Sequence, residues 1–262
     1  MPETTHAQSA APTTAPASPP TAATIALPPL RGRLFIARHG ETVFNAARRM
    51  QGQGQVHTPL TGAGCRQADA MGAALARWLA EEVAAGRRAA DAPLELHASS
   101  AGRALQTLAL MAEHLPGSDG AGADWHAARA DRRLEEIDVG DWSGRFYPDL
   151  AAEHGNFICP DTGLFTRVGP GGESYAQVAA RLVDWLAAVG GDDVDRLVVM
   201  HGMSSRVLRG LLLGRDIDPR FGAPAAPGIP QGSFVLIDCN ALNKHGNIGE
   251  TLIRLDPHGE VE

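Results

Sequence analysis

An arginine and a histidine, Arg38 and His39, follow a short apolar run and precede Gly40. The run over residues 34–37, Leu-Phe-Ile-Ala, is typical of a strand buried on both faces. Open α/β sheets place their ligand crevice at the carboxyl ends of such strands. A neutral imidazole can attack phosphorus, and a guanidinium can hold phosphate oxygens through two hydrogen bonds. The pair therefore indicates phosphoryl chemistry, and Gly40 would let the backbone turn sharply and approach the bound group.

A second apolar run ends in the same way. Residues 197–200, Leu-Val-Val-Met, are followed by His201 and Gly202. A lone histidine at such a position is more often structural, and Arg-His-Gly alone would equally describe a strand end with two solvated side chains. Two His-Gly breaks at the ends of two buried strands favour a single shared site.

Two more polar residues are candidates for this site. Arg103 is expected in the first turn of a helix that follows a strand, where backbone amides and a guanidinium together favour an anion. Taken alone, Arg103 could equally be a surface arginine. Glu136 lies close to three other carboxylates, and spacing alone does not choose among them: Glu135, Asp138 and Asp141.

The hydrophobic pattern alternates between strands and helices along the chain. Strands are expected in residues 34–37, 94–98, 124–134, 197–200, 233–238 and 251–255, the last two joined by a turn around residues 245–247. Helices are expected in residues 61–85, 99–115, 174–189 and 204–213, with a short helix and an irregular lid in residues 145–172. Thr61 is a predicted helix cap, and either Ser174 or Glu173 is expected to cap the helix that follows them. Arg206 and Arg209 are expected on a solvated face. This order predicts an α/β fold, a three-layer α/β/α sandwich with a mainly parallel sheet and an antiparallel edge.

Composition limits the possible functions. The chain has 262 residues, of which 44% are hydrophobic, enough for one large domain. A net charge of −7 argues against nonspecific nucleic-acid binding but leaves room for a small basic pocket. Residues 1–30 are rich in Ala, Pro, Thr and Ser and are expected to form a disordered tail, which leaves residues 31–262 as the domain.

The same composition bears on location. No apolar run approaches the roughly 20 residues that span a bilayer, and the tail lacks the pattern of a secretory signal. The three cysteines are widely spaced and are expected to be free thiols, not a disulfide frame or a zinc site: Cys65, Cys159 and Cys239. A cytoplasmic protein without a membrane partner is expected, and the oligomeric state stays open.

Longer segments around the candidate residues resemble the histidine phosphatase superfamily, also called the phosphoglycerate mutase-like family. The opening match consists of Arg38-His39-Gly40-Glu41-Thr42, Asn45, Arg49, Gln51-Gly52 and Pro59-Leu60-Thr61. Three later segments are also similar: Arg103-Ala104-Leu105-Gln106-Thr107, Leu134-Glu135-Glu136-Ile137 with Gly140-Asp141-Trp142-Ser143-Gly144, and Pro170-Gly171-Gly172-Glu173-Ser174. The resemblance covers roughly residues 32–240. It departs from the family at His57, where Asp is common, at Ser143, where Glu is common, and before Arg103, where a Pro-Leu pair is replaced and one residue is missing.

The resemblance implies the three-layer fold and a role for each core residue. His39 would be the nucleophile that becomes phosphohistidine. Arg38, Arg103 and a protonated His201 would hold the phosphoryl oxygens and offset their charge. Glu136 would protonate the leaving oxygen and later activate the water that hydrolyses the intermediate. No metal or other cofactor is implied, because side chains supply the positive field.

Further positions follow from the same resemblance. The residues expected to line the phosphate pocket are Asn45, Gln51 and Gly52. Glu173 is expected only to begin a helix. Specificity is expected to lie in residues 49–58 and 145–172, neither of which matches one subgroup, so the identity of the small phosphorylated substrate stays open.

Three functions are compatible with these residues. A phosphatase passes the phosphoryl group to water, whereas a phosphoglycerate mutase returns it to a second oxygen of the bound glycerate. The family's mutases carry a long insertion before the second histidine, but His201 lies only 65 positions after Glu136. They also have a Glu-Arg-His-Tyr-Gly-like string where this chain has Glu-Ile-Asp-Val-Gly over residues 136–140. Both features favour the phosphatase, and a non-catalytic phosphate-binding module is disfavoured because all five core positions are filled.

Overall fold

Strand β1 (Arg33–Arg38) lies near the middle of the sheet and divides its side chains between two hydrophobic clusters. Leu34 and Ile36 pack into one cluster, while Phe35 and Ala37 pack into the other. All four are at most 2% exposed. This alternation is what a strand covered on both faces requires, because successive side chains point to opposite sides of a sheet.

The computed structural model of the chain describes residues 25–117, 123, 125–242 and 248–253, and in these residues six strands form one mixed sheet. The other strands are β2 (Leu94–Ser99), β3 (Arg129–Asp131), β4 (Asp195–Met200), β5 (Phe234–Leu242) and β6 (Ile248–Ile253). Their order is β3-β2-β4-β1-β5-β6. The first four strands pair in parallel, and β5 pairs antiparallel with both β1 and β6. The predicted mainly parallel sheet with an antiparallel edge is confirmed, while the turn predicted at residues 245–247 lies outside the described residues.

Helices cover both faces of the sheet. The six α-helices of the described residues are α1 (Val43–Ala46), α2 (Gly62–Ala84), α3 (Gly102–Ala112), α4 (Tyr147–His154), α5 (Tyr175–Val189) and α6 (Gly202–Leu212). Apolar side chains of α2 and α3 belong to the Phe35 cluster, and those of α5 and α6 belong to the Leu34 cluster. The predicted α/β/α sandwich is therefore the observed fold. None of the described helices has both the length and the apolar character that a membrane crossing needs.

Side-chain caps begin two of the long helices where the sequence predicts them. The Thr61 hydroxyl accepts a hydrogen bond from Gly64 N at 3.0 Å, and the Ser174 hydroxyl accepts one from Gln177 N. Each bond satisfies a backbone N–H group that has no partner within its helix. Because the Ser174 hydroxyl is the cap, the carboxylate of the preceding residue, Glu173, can make other contacts.

Two predicted features differ in the structure. Residues 25–30 of the predicted tail pack on the core through Ile25, Leu27 and Leu30, while residues 1–24 lie outside the described residues. The predicted lid also contributes core side chains, among them Phe157 and Leu164, so residues 145–172 are part of the packed domain. In both places, scattered large apolar residues within a polar segment are buried by contacts distant in sequence.

The arginines of α6 are not solvated, contrary to the expectation. Arg206 and Arg209 are 7% and 3% exposed. Arg206 Nε donates to Ala226 O at 2.9 Å, and Arg209 pairs with Glu250 of β6. A loop and the last strand cover this face of the helix, and neither is adjacent in sequence, so helical periodicity could not show it.

Candidate active site

Three parallel strands end at the same edge of the sheet and carry the polar residues. The register pairs Arg38 of β1 with Met200 of β4, so His39 and His201 come next to each other. Their rings lie 5.1 Å apart between centroids, in an edge-to-face arrangement. Strand β2 ends beside them at Ser99, and α3 follows it with Arg103 in the first turn. The shared edge assembles a site from segments far apart in the chain.

His39 is held with one ring nitrogen free. Its Nδ1 lies 2.7 Å from Gly40 O, and because a carbonyl oxygen only accepts, Nδ1 carries the hydrogen. Nε2 therefore has the lone pair. The side chain is 4% exposed, and burial, aided by the positive charge of Arg103, holds the pKa of His39 well below its ordinary value of 6.5. The result is a neutral imidazole with the tautomer that a nucleophilic Nε2 requires.

Gly40 permits a close backbone contact after the nucleophile. A Cβ atom at Gly40 would lie 2.3 Å from Gly64 O, at the beginning of α2. The Gly40 N–H group donates to Thr107 Oγ1 at 3.1 Å. The close contact that this glycine permits in the structure is between its loop and the α2 backbone.

His201 has both ring nitrogens occupied. Arg103 Nε donates to His201 Nδ1 at 3.1 Å, so this nitrogen is an acceptor, and Nε2–H donates to Ser99 Oγ at 2.7 Å. Burial and the charge of Arg103 hold the pKa of His201 well below 6.5. The protonated His201 expected from the sequence is wrong for this structure, since a protonated ring could not accept from a guanidinium.

Arg103 is buried beneath the two histidines. It is 1% exposed, and its Nη1 and Nη2 donate to the carbonyl oxygens of Gln55 and Gly52 at 2.9 and 3.3 Å. Burial lowers the pKa of Arg103 to about 10, which still leaves a cation at neutral pH. Gly52, predicted to line the phosphate pocket, thus holds the cation through its main chain.

Two of the predicted phosphate-binding residues have a buried donor that lacks a partner among the described residues: Arg38 Nε and Gln51 Nε2. The Arg38 Nη1 group donates to Ile229 O at 3.2 Å, which fixes the guanidinium while leaving Nε unused. Gln51 Oε1 accepts from Thr42 Oγ1 at 2.9 Å. An unpaired buried donor costs about 1–3 kcal/mol, so two of them beside buried cations suit an anionic ligand.

Asn45 has a supporting position in the same network. Its Oδ1 accepts from Thr42 N at 3.1 Å and from Gln231 Nε2 at 2.8 Å. Thr42 in turn caps α1 and contacts Gln51. The structure places Asn45 against the loop that carries Gln51 and gives its oxygen protein partners.

The Glu136 carboxylate lies against the beginning of α6, the helix that begins directly after His201. Its carboxylate accepts from Met203 N at 3.0 Å and from Ser204 N at 2.9 Å. The charge of Glu136 also acts on Arg38 and Arg103. The competing carboxylates have other contacts, because Glu135 accepts from Ser100 Oγ and Asp138 accepts from Gly140 N.

Three site residues were not found from the sequence: Ser99, Thr107 and Tyr147. Ser99 accepts from His201, and Thr107 joins Gly40 N to Arg103 O. Burial, with the nearby charge of Glu136, raises the pKa of Tyr147 to about 12, so it stays a neutral phenol. Only Ser99 had a usable signal, because it ends a strand at the edge where the two histidines lie.

The arrangement can accept a phosphoryl group on His39 Nε2 and surround its oxygens with donors. Arg38 and Arg103 supply fixed positive charge, and a low-dielectric setting strengthens their attraction for an anion. Among the described residues, no group of three or more His, Cys, Asp or Glu side chains could hold a metal ion.

Comparison with known proteins identifies the family. The model of the histidine phosphatase superfamily, branch 1, matches residues 34–226. This match covers well over half of the chain, which therefore belongs to the histidine phosphatase superfamily.

Several relatives carry the name of a phosphatase. A glucosyl-3-phosphoglycerate phosphatase of Mycolicibacterium vanbaalenii is 33% identical over 217 residues, covering 78% of this chain and 82% of the relative. A protein of the same name from Mycobacterium tuberculosis is 34% identical over 191 residues, covering 69% and 75%. The solved structure of a mycobacterial glucosyl-3-phosphoglycerate phosphatase in complex with VO3 has a TM-score of 0.58 at 27% identity, covering 84% of this chain and 97% of that one. These relatives support an enzyme that hydrolyses phosphomonoesters and do not favour a mutase.

Proposed function

We propose that this chain hydrolyses a small phosphorylated metabolite through a phosphohistidine on His39. The observation that carries the proposal is the difference between two adjacent buried imidazoles. His39 Nε2 is free and Nδ1 is fixed by Gly40 O, whereas both nitrogens of His201 already have protein partners. Only His39 therefore combines a neutral ring with an available lone pair.

The reaction has two balanced steps. In the first, His39 Nε2 forms a bond to phosphorus while the bond to the ester oxygen breaks, and Glu136 gives that oxygen a proton. In the second, Glu136 removes a proton from water, whose oxygen bonds to phosphorus as the P–N bond breaks. Inorganic phosphate leaves, and His39 and Glu136 return to their starting states.

The surrounding donors suit the charge that the transferred group carries. Arg38 Nε and Gln51 Nε2 are buried donors without a partner among the described residues. Arg103 is a buried cation that the carbonyl oxygens of Gly52 and Gln55 hold in place. Such prearranged donors stabilise a transition state without reorganising during the reaction.

The names of the relatives suggest a first substrate to assay. Glucosyl-3-phosphoglycerate is the substrate in the names of the mycobacterial phosphatases that this chain resembles. We also propose a cytoplasmic location, which the free state of Cys65, Cys159 and Cys239 supports, because reducing compartments keep thiols unpaired. The expected partner is the small substrate, with no nucleic acid involved.

Hydrolysis and isomerisation can be separated in one tube. We expect phosphate release from a panel that contains glucosyl-3-phosphoglycerate, sugar phosphates and phosphoglycerates. With 3-phosphoglycerate primed by 2,3-bisphosphoglycerate, release should exceed conversion to 2-phosphoglycerate. If isomerisation outruns release, the phosphatase proposal is wrong and the mutase takes its place.

A further inference from the structure

Three side chains outside the phosphate pocket bind the backbone on both sides of the Glu136 side chain. Arg181 Nη1 donates to Arg133 O at 2.6 Å, three residues before the acid. Arg181 Nη2 and Gln53 Nε2 both donate to Glu136 O, at 3.1 and 3.0 Å. Glu173 Oε2 accepts from Asp138 N at 2.9 Å. The main chain that carries the acid is thus held by residues from three other parts of the fold.

The same three side chains also bind one another. Arg181 Nε and Nη2 donate to the two oxygens of Glu173 at 2.9 and 3.1 Å, a bidentate pair. Gln53 Nε2 donates to Glu173 Oε2 at 3.0 Å. The Glu173 and Arg181 side chains are 19% and 15% exposed, so water screens this pair only in part. Bidentate, charge-assisted bonds of this kind fix direction as well as distance.

Gln53 connects this network to the phosphate side of the site. It lies between Gly52 and Gln55, whose carbonyl oxygens hold Arg103. One short loop therefore contacts both the buried cation below the histidines and the backbone of the acid. The Gln53 side chain therefore links the loop that holds Arg103 to the main chain of Glu136.

We propose that Gln53, Glu173 and Arg181 are positioning residues that hold the Glu136 carboxyl at the leaving oxygen. This inference rests on the proposed acid role of Glu136. A proton donor must lie within hydrogen-bond reach of its target, and a displacement of about 1 Å can cost roughly 100-fold in rate. Glu173 was expected only to begin a helix, but the Ser174 hydroxyl caps α5, so the Glu173 carboxylate is available for this positioning role.

The test compares two leaving groups in Glu173→Gln. An alkyl phosphate needs a proton on its departing oxygen, whereas p-nitrophenyl phosphate does not. We expect kcat/KM to fall roughly tenfold to a hundredfold for the alkyl phosphate and to change little for the aryl phosphate. The ratio kcat/KM is used because it reports the steps through cleavage of the ester bond and excludes hydrolysis of the phosphohistidine. Gln53→Met should give a smaller shift in the same direction, since it leaves the ion pair intact.

A matched control removes an ion pair of similar burial elsewhere. Glu82, whose side chain is 11% exposed, pairs with Arg33 and Arg87 at the far end of α2. Glu82→Gln should lower thermal stability without changing the ratio of the two kcat/KM values. Arg181→Lys keeps the charge but loses the planar fork, and should fall between wild type and Glu173→Gln.

A double variant separates positioning from general destabilisation. Once Glu136→Gln has removed the acid, adding Glu173→Gln should cause no further loss on the alkyl phosphate. If Glu136→Gln itself treats both substrates alike, the acid role fails and this inference fails with it. If Glu136→Gln is selective while Glu173→Gln slows both substrates equally, the acid role of Glu136 stands and the positioning role of Glu173 is overturned. Should Glu173→Gln not fold, Gln53→Met decides by the same criterion.

Discussion

The ends of β1 and β4 carry the same dipeptide, His-Gly, at the same edge of the sheet. His39 and His201 are both buried and neutral, with ring centroids 5.1 Å apart. Their partners differ. His39 bonds only its own loop through Gly40 O, whereas His201 accepts from Arg103 and donates to Ser99. Hydrogen-bond partners, and not the local sequence, distinguish His39, the proposed nucleophile, from His201, whose two ring nitrogens are both bonded to protein groups.

The backbone after each histidine differs as well. After His39 the chain packs closely on the beginning of α2 at Gly64, where no Cβ atom fits at Gly40. After His201 the chain begins α6 at once, and the first amides of that helix hold Glu136. The first strand end therefore carries the proposed nucleophile, whereas the second contacts the Arg103 cation through His201 and the Glu136 carboxylate through the first amides of α6.

Removal of the His39 imidazole, the proposed nucleophile, should have the largest effect on activity. We expect His39→Ala to lower kcat on the order of 10⁴-fold or more while the protein stays folded, because the adjacent imidazole of His201 has both nitrogens bonded to protein groups. Steady-state phosphate release and circular dichroism would check this. His97→Gln is the control for a buried histidine elsewhere on the sheet. Retention of most activity in His39→Ala would contradict the assignment.

Removing the acid should show what the second strand end contributes. Glu136→Gln keeps the size of the side chain but cannot transfer a proton. We expect a loss of about 10²–10⁴-fold in kcat/KM for alkyl phosphates and a much smaller loss for p-nitrophenyl phosphate. Glu135→Gln, one residue away and bonded to Ser100, should lack this selectivity. Equal losses on both substrates in Glu136→Gln would argue against proton donation.

Changing the second histidine should have a smaller effect than changing the first. His201→Asn removes the ring that links Arg103 to Ser99, yet leaves His39 Nε2 in place. We expect kcat to fall roughly 10²–10³-fold, because the Arg103 guanidinium loses the ring that holds its Nε and its donors are then less well placed, while phosphohistidine still forms. Rapid-quench measurements of intermediate formation would show it. If His201→Asn abolished the intermediate and His39→Ala did not, the two roles would be reversed.

The pH dependence of the free energy of unfolding should show that both histidines are neutral in the folded chain. Their pKa values lie well below 6.5 in the folded chain, so only the unfolded chain takes up these protons as pH falls from 7 to 5. Stability is therefore lost on acidification, with a slope that rises toward roughly 1.4 kcal/mol per pH unit for each histidine as pH falls well below 6.5. Urea unfolding at several pH values should show a flatter dependence in His39→Gln and in His201→Gln. Unchanged slopes would show that neither ring is held neutral.

Much of the fold was predictable because its signals are local. Residues 34–37 and 197–200 are dense apolar runs, and the observed strands there extend them by only a few residues. Thr61 and Ser174 cap helices through bonds to residues three positions later. Such features depend on short stretches of sequence, which a pattern can show.

The remainder depends on contacts that no local pattern contains. Arg206 was expected on a solvated face of its helix, yet it is buried and donates to the carbonyl oxygens of Ala226 and Thr162. The low pKa of His201 follows from burial and from the charge of Arg103, almost a hundred positions earlier in the chain. Glu173 seemed to be a helix start, but its carboxylate contacts Gln53, Asp138 and Arg181. Composition suggested the residue types of the site, whereas the tertiary fold decided what each one does.

The most direct test of the account is to find which histidine carries phosphate during turnover. Wild-type protein would be quenched in base while it hydrolyses substrate, digested, and mapped by mass spectrometry for a phosphate that is stable in base and labile in acid. The account predicts the phosphate on His39, and in His201→Asn on His39 still. Phosphate on His201, or on a serine or cysteine, would contradict it.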